Sequence, residues 1–181
     1  MKEISLNILD ITENSVKAGA TLTEILINET DAVLELVISD NGCGMSEEVL
    51  KGVVNPFYTT RTTRNVGLGL PFLKLAAEQT GGSMTIESKS REEHPENHGT
   101  RVSAVFNKNH LDYTPLGDII ATLVTLIQGH PDTDFYFSHR VSDKNVELDT
   151  RQLKSVLEDV PLDSFEVLNW IREYLSEQYV N

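Results

Sequence analysis

The feature that most constrains this chain is a loop of small residues that directly follows an apolar run. Residues 33–38 are typical of a β-strand, and Asp40-Asn41-Gly42-Cys43-Gly44-Met45 comes immediately after them. A carboxylate at the end of a strand, beside glycines that allow a flat ligand to approach the backbone, has the geometry of a purine pocket. The same residues also suit a plain hairpin turn, because Asp-Asn-Gly is common turn chemistry. The flanking segments decide between these two interpretations.

The composition is that of a globular protein of modest size. With 181 residues, 39% of them hydrophobic and 24% charged, the chain can form one substantial core, or one domain with a smaller appendage. It has no apolar run of membrane-spanning length, and its N-terminus lacks the pattern of a signal peptide. The single cysteine, Cys43, excludes an intramolecular disulfide, which agrees with a reducing compartment. We therefore expect a cytoplasmic protein.

The charge distribution excludes some classes of binding partner and suggests that the chain has two structural units. The formal net charge of -13 argues against binding to a nucleic-acid backbone or to an anionic membrane, since both require clustered Lys and Arg. Residues 1–109 carry 15 acidic and 10 basic side chains, a net charge of -5, whereas residues 110–181 carry 13 and 5, a net charge of -8. The acidity is therefore heavier in the C-terminal part.

The first predicted helix, from Ile4 to Ala18, carries a wholly polar stripe beside its apolar one. Asp10, Glu13, Asn14 and Lys17 recur at helical spacing, so their side chains project from one side. A solvated helix face would explain this stripe. A carboxylate next to a carboxamide, followed by an ammonium group, is also what a metal–phosphate site needs.

Two segments further along the chain could bind phosphate. Gly67-Leu68-Gly69-Leu70-Pro71 leads into a predicted helix at residues 72–80, and glycines before a helix expose backbone N–H groups at the positive end of its dipole. Residues 59–65 are rich in hydroxyl and basic side chains, which suits either a solvated loop or a phosphate-facing lid. Strands are predicted around these segments, at residues 21–29, 33–38, 83–88 and 101–106, and a short helix begins at Ser46.

The C-terminal part is predicted to form a helix, two short strands and two further helices. The helical stripe runs from Leu116 to Ile127, the strands lie at residues 135–137 and 146–148, and the last helices start near residues 153 and 164. At roughly 70 residues this unit is small for independent stability, so we expect it to pack on the preceding domain or on a partner. We expect His130 and His139 to be structural or surface residues and not ligands.

Taken in order, these segments resemble the GHKL superfamily of ATP-binding domains, which includes gyrase B, the mismatch-repair protein MutL and the sensor histidine kinases. The segment from Glu13 to Thr21 is similar to the N box, and Asp40–Met45 to the first glycine box. Residues 56–61 resemble the F box of histidine kinases, residues 66–82 the second glycine box with its helix, and Gly99-Thr100 the closing motif. The resemblance implies an α+β fold of Bergerat type, a two-layer α/β sandwich whose mixed, largely antiparallel sheet carries helices on one face. It assigns residues 1–108 to the ATP-binding domain and residues 109–181 to a small C-terminal subdomain.

The resemblance also implies a role for each matching residue, with ATP and Mg²⁺ as cofactors. Asp40 would accept a hydrogen bond from the adenine amino group with support from Thr100, and Asn14 would bind Mg²⁺. Glu13 would act as general base or orient the nucleophile. The remaining binding residues would be Gly42, Gly44 and Met45 around the base, the backbone of Gly67, Leu68, Gly69 and Leu70 at the phosphates, and Lys17, Arg61 and Arg64 as phosphate-binding cations.

Three functions agree with this site. The protein could transfer phosphate in trans to a partner protein recruited by the C-terminal subdomain, or hydrolyse ATP as a Mg-dependent ATPase. It could also be an ATP-operated switch or a nucleotide-sensing module without turnover. Histidine kinases usually carry asparagine where this chain has Asp10, and none of the five histidines lies in an acceptor-like motif before the N box. We therefore expect no autophosphorylation in cis. The oligomeric state stays open.

Overall fold

A computed structural model describes residues 3–54 and 68–181 of the chain. In these ranges the helices and strands follow one another in an order close to the predicted one. They are α1 (Ile4–Lys17), β1 (Leu22–Glu29), β2 (Val33–Asp40), α2 (Glu47–Gly52), α3 (Gly69–Gln79), β3 (Ser83–Lys89), β4 (Gly99–Asn107), α4 (Ile119–Gly129), β5 (Asp134–Val141), β6 (Lys144–Asp149), α5 (Thr150–Leu157) and α6 (Phe165–Val180). No helix in the described ranges has the length and apolar character needed to cross a bilayer.

The six strands form one sheet in the order β3-β4-β2-β1-β5-β6. Four of the five strand pairs are antiparallel, and the pair of β1 with β5 is parallel. The sheet is therefore mixed and largely antiparallel, as the family resemblance implied.

The core lies between one face of this sheet and a layer of helices. Alternate side chains of the central strands are buried, as in Ile25 of β1, Leu36 of β2 and Phe106 of β4, while their neighbours stay partly exposed. This period of two is what a sheet covered on one face requires. Helix α1 buries Ile4 and Ile8 against the sheet and lies between α3 and α4. The predicted two-layer α+β sandwich is confirmed.

The C-terminal strands extend the same sheet. Strand β5 lies alongside β1 over its whole length, from Leu22 opposite Asp134 to Glu29 opposite Val141. Buried side chains of both parts, Ile25 and Phe137 among them, belong to one hydrophobic cluster. Residues 109–181 thus pack on the preceding part of the chain, and the boundary at residue 108 stays a prediction.

Helix α3 begins three residues earlier than predicted, at Gly69 in place of Phe72. Pro71 is the third residue of the helix, where its missing N–H has no intrahelical partner to lose. The proline is therefore accommodated inside the first turn, and the helix N-terminus moves to the glycine motif itself.

Candidate nucleotide-binding site

Asp40 is the last residue of β2, and both oxygens of its carboxylate are held in place. Ser15 donates its hydroxyl to Oδ2 at 2.7 Å, and the backbone N–H of Gly42 donates to Oδ1 at 2.8 Å. Sequence reasoning counted Ser15 only as part of the inner stripe of α1 and missed this contact. The available signal was a hydroxyl in an otherwise apolar stripe. The hydrogen bonds from Ser15 and Gly42 fix the orientation of the half-buried Asp40 carboxylate.

The loop after Asp40 requires its glycines for close packing. Gly44 has a φ of +64°, and a Cβ there would lie 1.9 Å from the carbonyl oxygen of Lys89. A Cβ at Gly42 would lie 2.9 Å from Asp40 Oδ1 and 3.0 Å from the Ala18 side chain. Because side chains at these positions would displace the loop, the glycines keep the backbone open next to Asp40.

Strand β4 supplies the neighbours of Asp40 on the other side. Thr100 lies directly opposite Asp40 in the antiparallel pairing of β2 with β4. The Thr100 hydroxyl is 2.8 Å from the Ser88 hydroxyl oxygen, which also accepts a hydrogen bond from the N–H of Met45 at 2.8 Å. Ser88 was missed in the sequence because it falls in an ordinary alternating strand. Asp40, Ser88 and Thr100 line one open pocket.

His98 also lines this pocket. Its Nδ1 lies 2.5 Å from the carbonyl oxygen of Gly42, and the following residue, Gly99, packs against the backbone of Asp40. The N–H of Arg91 also donates to the carbonyl of Cys43 at 2.8 Å. The loop between β3 and β4 therefore braces the glycine loop after β2.

The polar stripe lies on α1, the same helix whose Ser15 donates a hydrogen bond to Asp40. Among the described residues, the Asn14 Nδ2 is buried and has no hydrogen-bond partner. Asp10 and Lys17 are exposed, and Glu13 is partly exposed. Glu13 Oε1 lies 2.8 Å from Nε2 of His130, a residue 117 positions further along the chain. The sequence did not predict this contact, because no local pattern indicates that residues so far apart lie together.

The N-terminus of α3 packs against the polar stripe of α1. A Cβ at Gly69 would lie 2.9 Å from the Cβ of Asp10, so only a glycine permits this approach without displacement. The N-cap residue, Leu68, makes no side-chain hydrogen bond to the helix, and the first turn contains no acidic side chain. Within the part of the chain that the structure describes, the N-cap side chain therefore does not occupy the first N–H groups of α3, and these groups can bind an anion. Leu70 is buried, which leaves only its backbone for such a role.

The donor set of α1 fits a magnesium ion bound together with phosphate. In residues 3–54 and 68–181 no group of three or more His, Cys, Asp or Glu side chains could hold a metal ion by itself. Mg²⁺ is commonly held by one or two protein oxygens plus substrate phosphates, so a complete protein cage is not required. The Asn14 carboxamide, with its unpartnered amide group, can turn an oxygen toward such an ion.

Three predicted site residues, Arg61, Arg64 and Gly67, lie outside the described residues, and so do the whole basic segment (residues 59–65) and the whole F box (residues 56–61). Their roles stay predictions.

Comparison with known proteins decides the family. The profile of the histidine kinase-, DNA gyrase B-, and HSP90-like ATPases matches residues 2–110. The chain belongs to this family. This family is the GHKL superfamily, and the architecture of the sheet and helices is that of a GHKL domain.

Relatives of this GHKL protein include bacterial sensor kinases. It is 32% identical over 93 residues to the histidine protein kinase DivJ of Caulobacter vibrioides, an alignment that covers 49% of this chain and 15% of the kinase. It is 34% identical over 91 residues to sporulation kinase D of Bacillus subtilis, covering 50% of this chain and 18% of the kinase. The matched region is therefore a minor part of each kinase.

Among solved structures, the GHKL protein is similar to the ATPase domain of Aquifex aeolicus MutL complexed with ADP. The TM-score is 0.54 at 11% identity, and the alignment covers 96% of this chain and 88% of that chain. The N-terminal domain of a DNA repair protein has a TM-score of 0.51 at 17% identity, covering 82% of this chain and 53% of that one. At such identities the likeness concerns the fold, which includes the C-terminal strands and helices.

Proposed function

We propose that this protein binds Mg-ATP between α1, the glycine loop after β2 and the N-terminus of α3, and hydrolyses it. The observation that carries the proposal is the Asp40 carboxylate, which is held by Ser15 and Gly42 at the end of β2. Asp40 also lines an open pocket together with Thr100 and Ser88. Each carboxylate oxygen has two acceptor sites, so both oxygens can accept a further hydrogen bond. The exocyclic amino group of adenine is a donor of this kind.

The phosphate end of the nucleotide would reach the first turn of α3. The N–H groups there lie beside the polar stripe of α1, since Gly69 packs against Asp10. Asn14 would hold the magnesium ion on the same side. A magnesium ion held there would supply positive charge that neutralises the charge developing during phosphoryl transfer. Lys17 would add a positive charge to an otherwise acidic helix face.

Glu13 is the residue that we propose to activate the nucleophile. It is adjacent to Asn14 in the sequence and lies partly exposed on the same polar stripe. A carboxylate near the γ-phosphate can accept the proton of an attacking water molecule as the new bond to phosphorus forms.

The second candidate function is phosphoryl transfer in trans to a partner protein. It is favoured by the identity of about a third to bacterial protein kinases over the same region of the chain. Positioning and charge neutralisation serve a water molecule and a protein nucleophile equally well, so the site residues would be the same.

The experiment is incubation with γ-labelled ATP and Mg²⁺, alone and with a lysate of the source organism. We expect the wild type to release labelled phosphate, the Asn14→Ala variant to lose Mg-dependent binding, and the Glu13→Ala variant to bind ATP but turn over poorly. Glu173→Ala, an exposed glutamate of α6, is the matched control for the glutamate change. Label on one specific lysate protein would favour the kinase. Binding without release or transfer would contradict turnover.

A further inference from the structure

The contact between Glu13 and His130 joins the polar stripe of α1 to the C-terminal part of the chain. The distance from His130 Nε2 to Glu13 Oε1 is 2.8 Å, which is that of a short, charge-assisted hydrogen bond. The Glu13 side chain is 32% exposed and the His130 side chain 25% exposed. Both groups are therefore partly shielded yet still open to a ligand on one side.

The backbone around His130 is fixed on both sides. His130 is the C-cap residue of α4, and its N–H donates to the carbonyl of Leu126 at 2.9 Å. Its own carbonyl accepts from the N–H of Thr133 at 3.1 Å, and the N–H of Asp134 donates to Thr21 at 2.9 Å. Helix α4 is also joined to α1, since Thr122 donates its hydroxyl to the carbonyl of Ser5 at 3.3 Å. The imidazole thus projects from a rigid corner whose position relative to α1 is set by packing.

We propose that His130 is a positioning residue for Glu13, an inference that rests on the proposed function. The imidazole donates its Nε2–H to Glu13 Oε1 and fixes the plane of the carboxylate. Oε2 then stays available to the nucleophile. This is the relation between a catalytic base and the group that orients it.

Hydrolysis replaces one bond to the γ-phosphorus with another. The water oxygen forms a bond to the γ-phosphorus while the bond from that phosphorus to the bridging oxygen of ADP breaks, and the electron pair of the broken bond stays with ADP. The water proton passes to Glu13 Oε2 and then to solvent after the products leave. His130 keeps its own proton throughout. Its contribution is orientation, so its loss should change the rate of the chemical step and leave ATP affinity unchanged.

The inference gives residues 109–181 a part in the proposed site. His130 lies in the corner between α4 and β5, which the sequence alone assigned to a separate appendage. Withdrawal of the His130 side chain would remove the hydrogen bond to Glu13, whereas Asp40 keeps its own partners, Ser15 and Gly42. Turnover would then depend on the contact between Glu13 and the C-terminal part.

The test compares His130→Ala and His130→Gln in the full chain, with His110→Ala as the control. His110 is an exposed histidine paired with Asp112 and lies outside the proposed site. We expect the alanine variant to lower kcat by about 10- to 100-fold, the usual cost of losing an orienting partner, with unchanged Kd for ATP. The glutamine variant, whose amide N–H can reach the same carboxylate, should recover most of the loss. In the Glu13→Ala background, His130→Ala should have no further effect.

Several results would overturn the inference. One is wild-type kcat in His130→Ala while Glu13→Ala is impaired, and a second is a loss that His130→Gln does not recover. A full additional loss in the Glu13→Ala background would also contradict it. If the wild type binds ATP but has no turnover, both the hydrolysis proposal and the role of His130 in it are wrong.

An NMR measurement tests the contact independently of turnover. Long-range ¹H–¹⁵N spectra of the imidazole report which ring nitrogen carries the proton. We expect the Nε2–H tautomer in neutral His130 of the wild type and a loss of that preference in Glu13→Ala. An identical tautomer distribution in both proteins would overturn the inference even if hydrolysis is confirmed.

Discussion

Replacing Asp40 with asparagine tests the adenine end of the site with little disturbance of the fold. Gly42 donates a backbone N–H that cannot reorient, so the carboxamide oxygen must take the place of Oδ1, and the amide nitrogen takes the place of Oδ2. Ser15 can then accept from the new amide, because its own hydroxyl has a second acceptor in the carbonyl of Ile11 at 3.3 Å. The loop should keep all of its hydrogen bonds.

The ligand, in contrast, would lose an acceptor. The Oδ2 oxygen can accept a hydrogen bond from the adenine amino group. In the variant an NH₂ group takes its place, and two donors then face each other. Hydrogen bonds to charged groups contribute about 1.5–3 kcal/mol. Since about 1.4 kcal/mol corresponds to a factor of ten, we expect the Kd for ATP to rise by roughly 10- to 150-fold. GTP presents an acceptor in place of the amino group, so its affinity should not fall.

Isothermal titration with ATP and GTP measures both effects. Asp31→Asn is the control, because Asp31 is exposed in the turn between β1 and β2. The melting temperature of Asp40→Asn should stay within about 2 °C of the wild type if the rearranged hydrogen bonds form. Wild-type affinity for ATP together with unchanged preference over GTP would refute the placement of adenine at Asp40.

Three further predictions concern packing and ionisation. Gly44→Ala should lower the melting temperature and abolish ATP binding, because the new Cβ would overlap the carbonyl of Lys89. Thermal unfolding measures the first effect and titration with ATP the second. A variant with wild-type melting temperature and ATP affinity would contradict the close packing of Gly44. Gly69→Ala should destabilise the protein by about 1–3 kcal/mol as α3 moves away from Asp10, which urea unfolding measures; wild-type stability would contradict that contact. Burial lowers the pKa of His139, although the Glu29 carboxylate beside it raises the pKa in part. The native state therefore favours neutral His139 while the unfolded chain takes up a proton below about pH 6.5, so stability should fall as the pH drops through that value. His139→Gln should show a flatter decline in urea unfolding between pH 7.5 and 5, and an equal decline in both proteins would contradict the assignment.

Much of the site follows from local patterns in the sequence. The polar stripe of α1 depends only on helical spacing, and the loop after β2 depends on an aspartate and two glycines at the end of a strand. These features are short-range, so a single sequence contains them. The sequence predicts that α3 starts at Phe72, three residues later than its observed start at Gly69. The first four N–H groups of a helix have no intrahelical partner and tolerate proline, so Pro71 does not fix where the helix begins.

The contacts that the sequence did not contain are long-range. Ser15 and Asp40 are 25 residues apart, and Glu13 and His130 are 117 apart. Each pair meets because strands and helices bring distant segments together. The residues next to each side chain in the sequence do not indicate which distant residue it will contact. The same holds for β5, whose parallel pairing with β1 turns the predicted appendage into an extension of the sheet. Its alternating pattern predicted a strand but not the neighbour of that strand.

The most direct test of the account is to map the nucleotide onto the backbone by ¹H–¹⁵N correlation spectra during titration with ADP and Mg²⁺. The account predicts saturable shifts at the amides of residues 13–18, 40–45 and 98–100 and in the first turn of α3, with little change along α6. Shifts confined to α6 or to the open face of the sheet, or no saturable shifts at all, would contradict it.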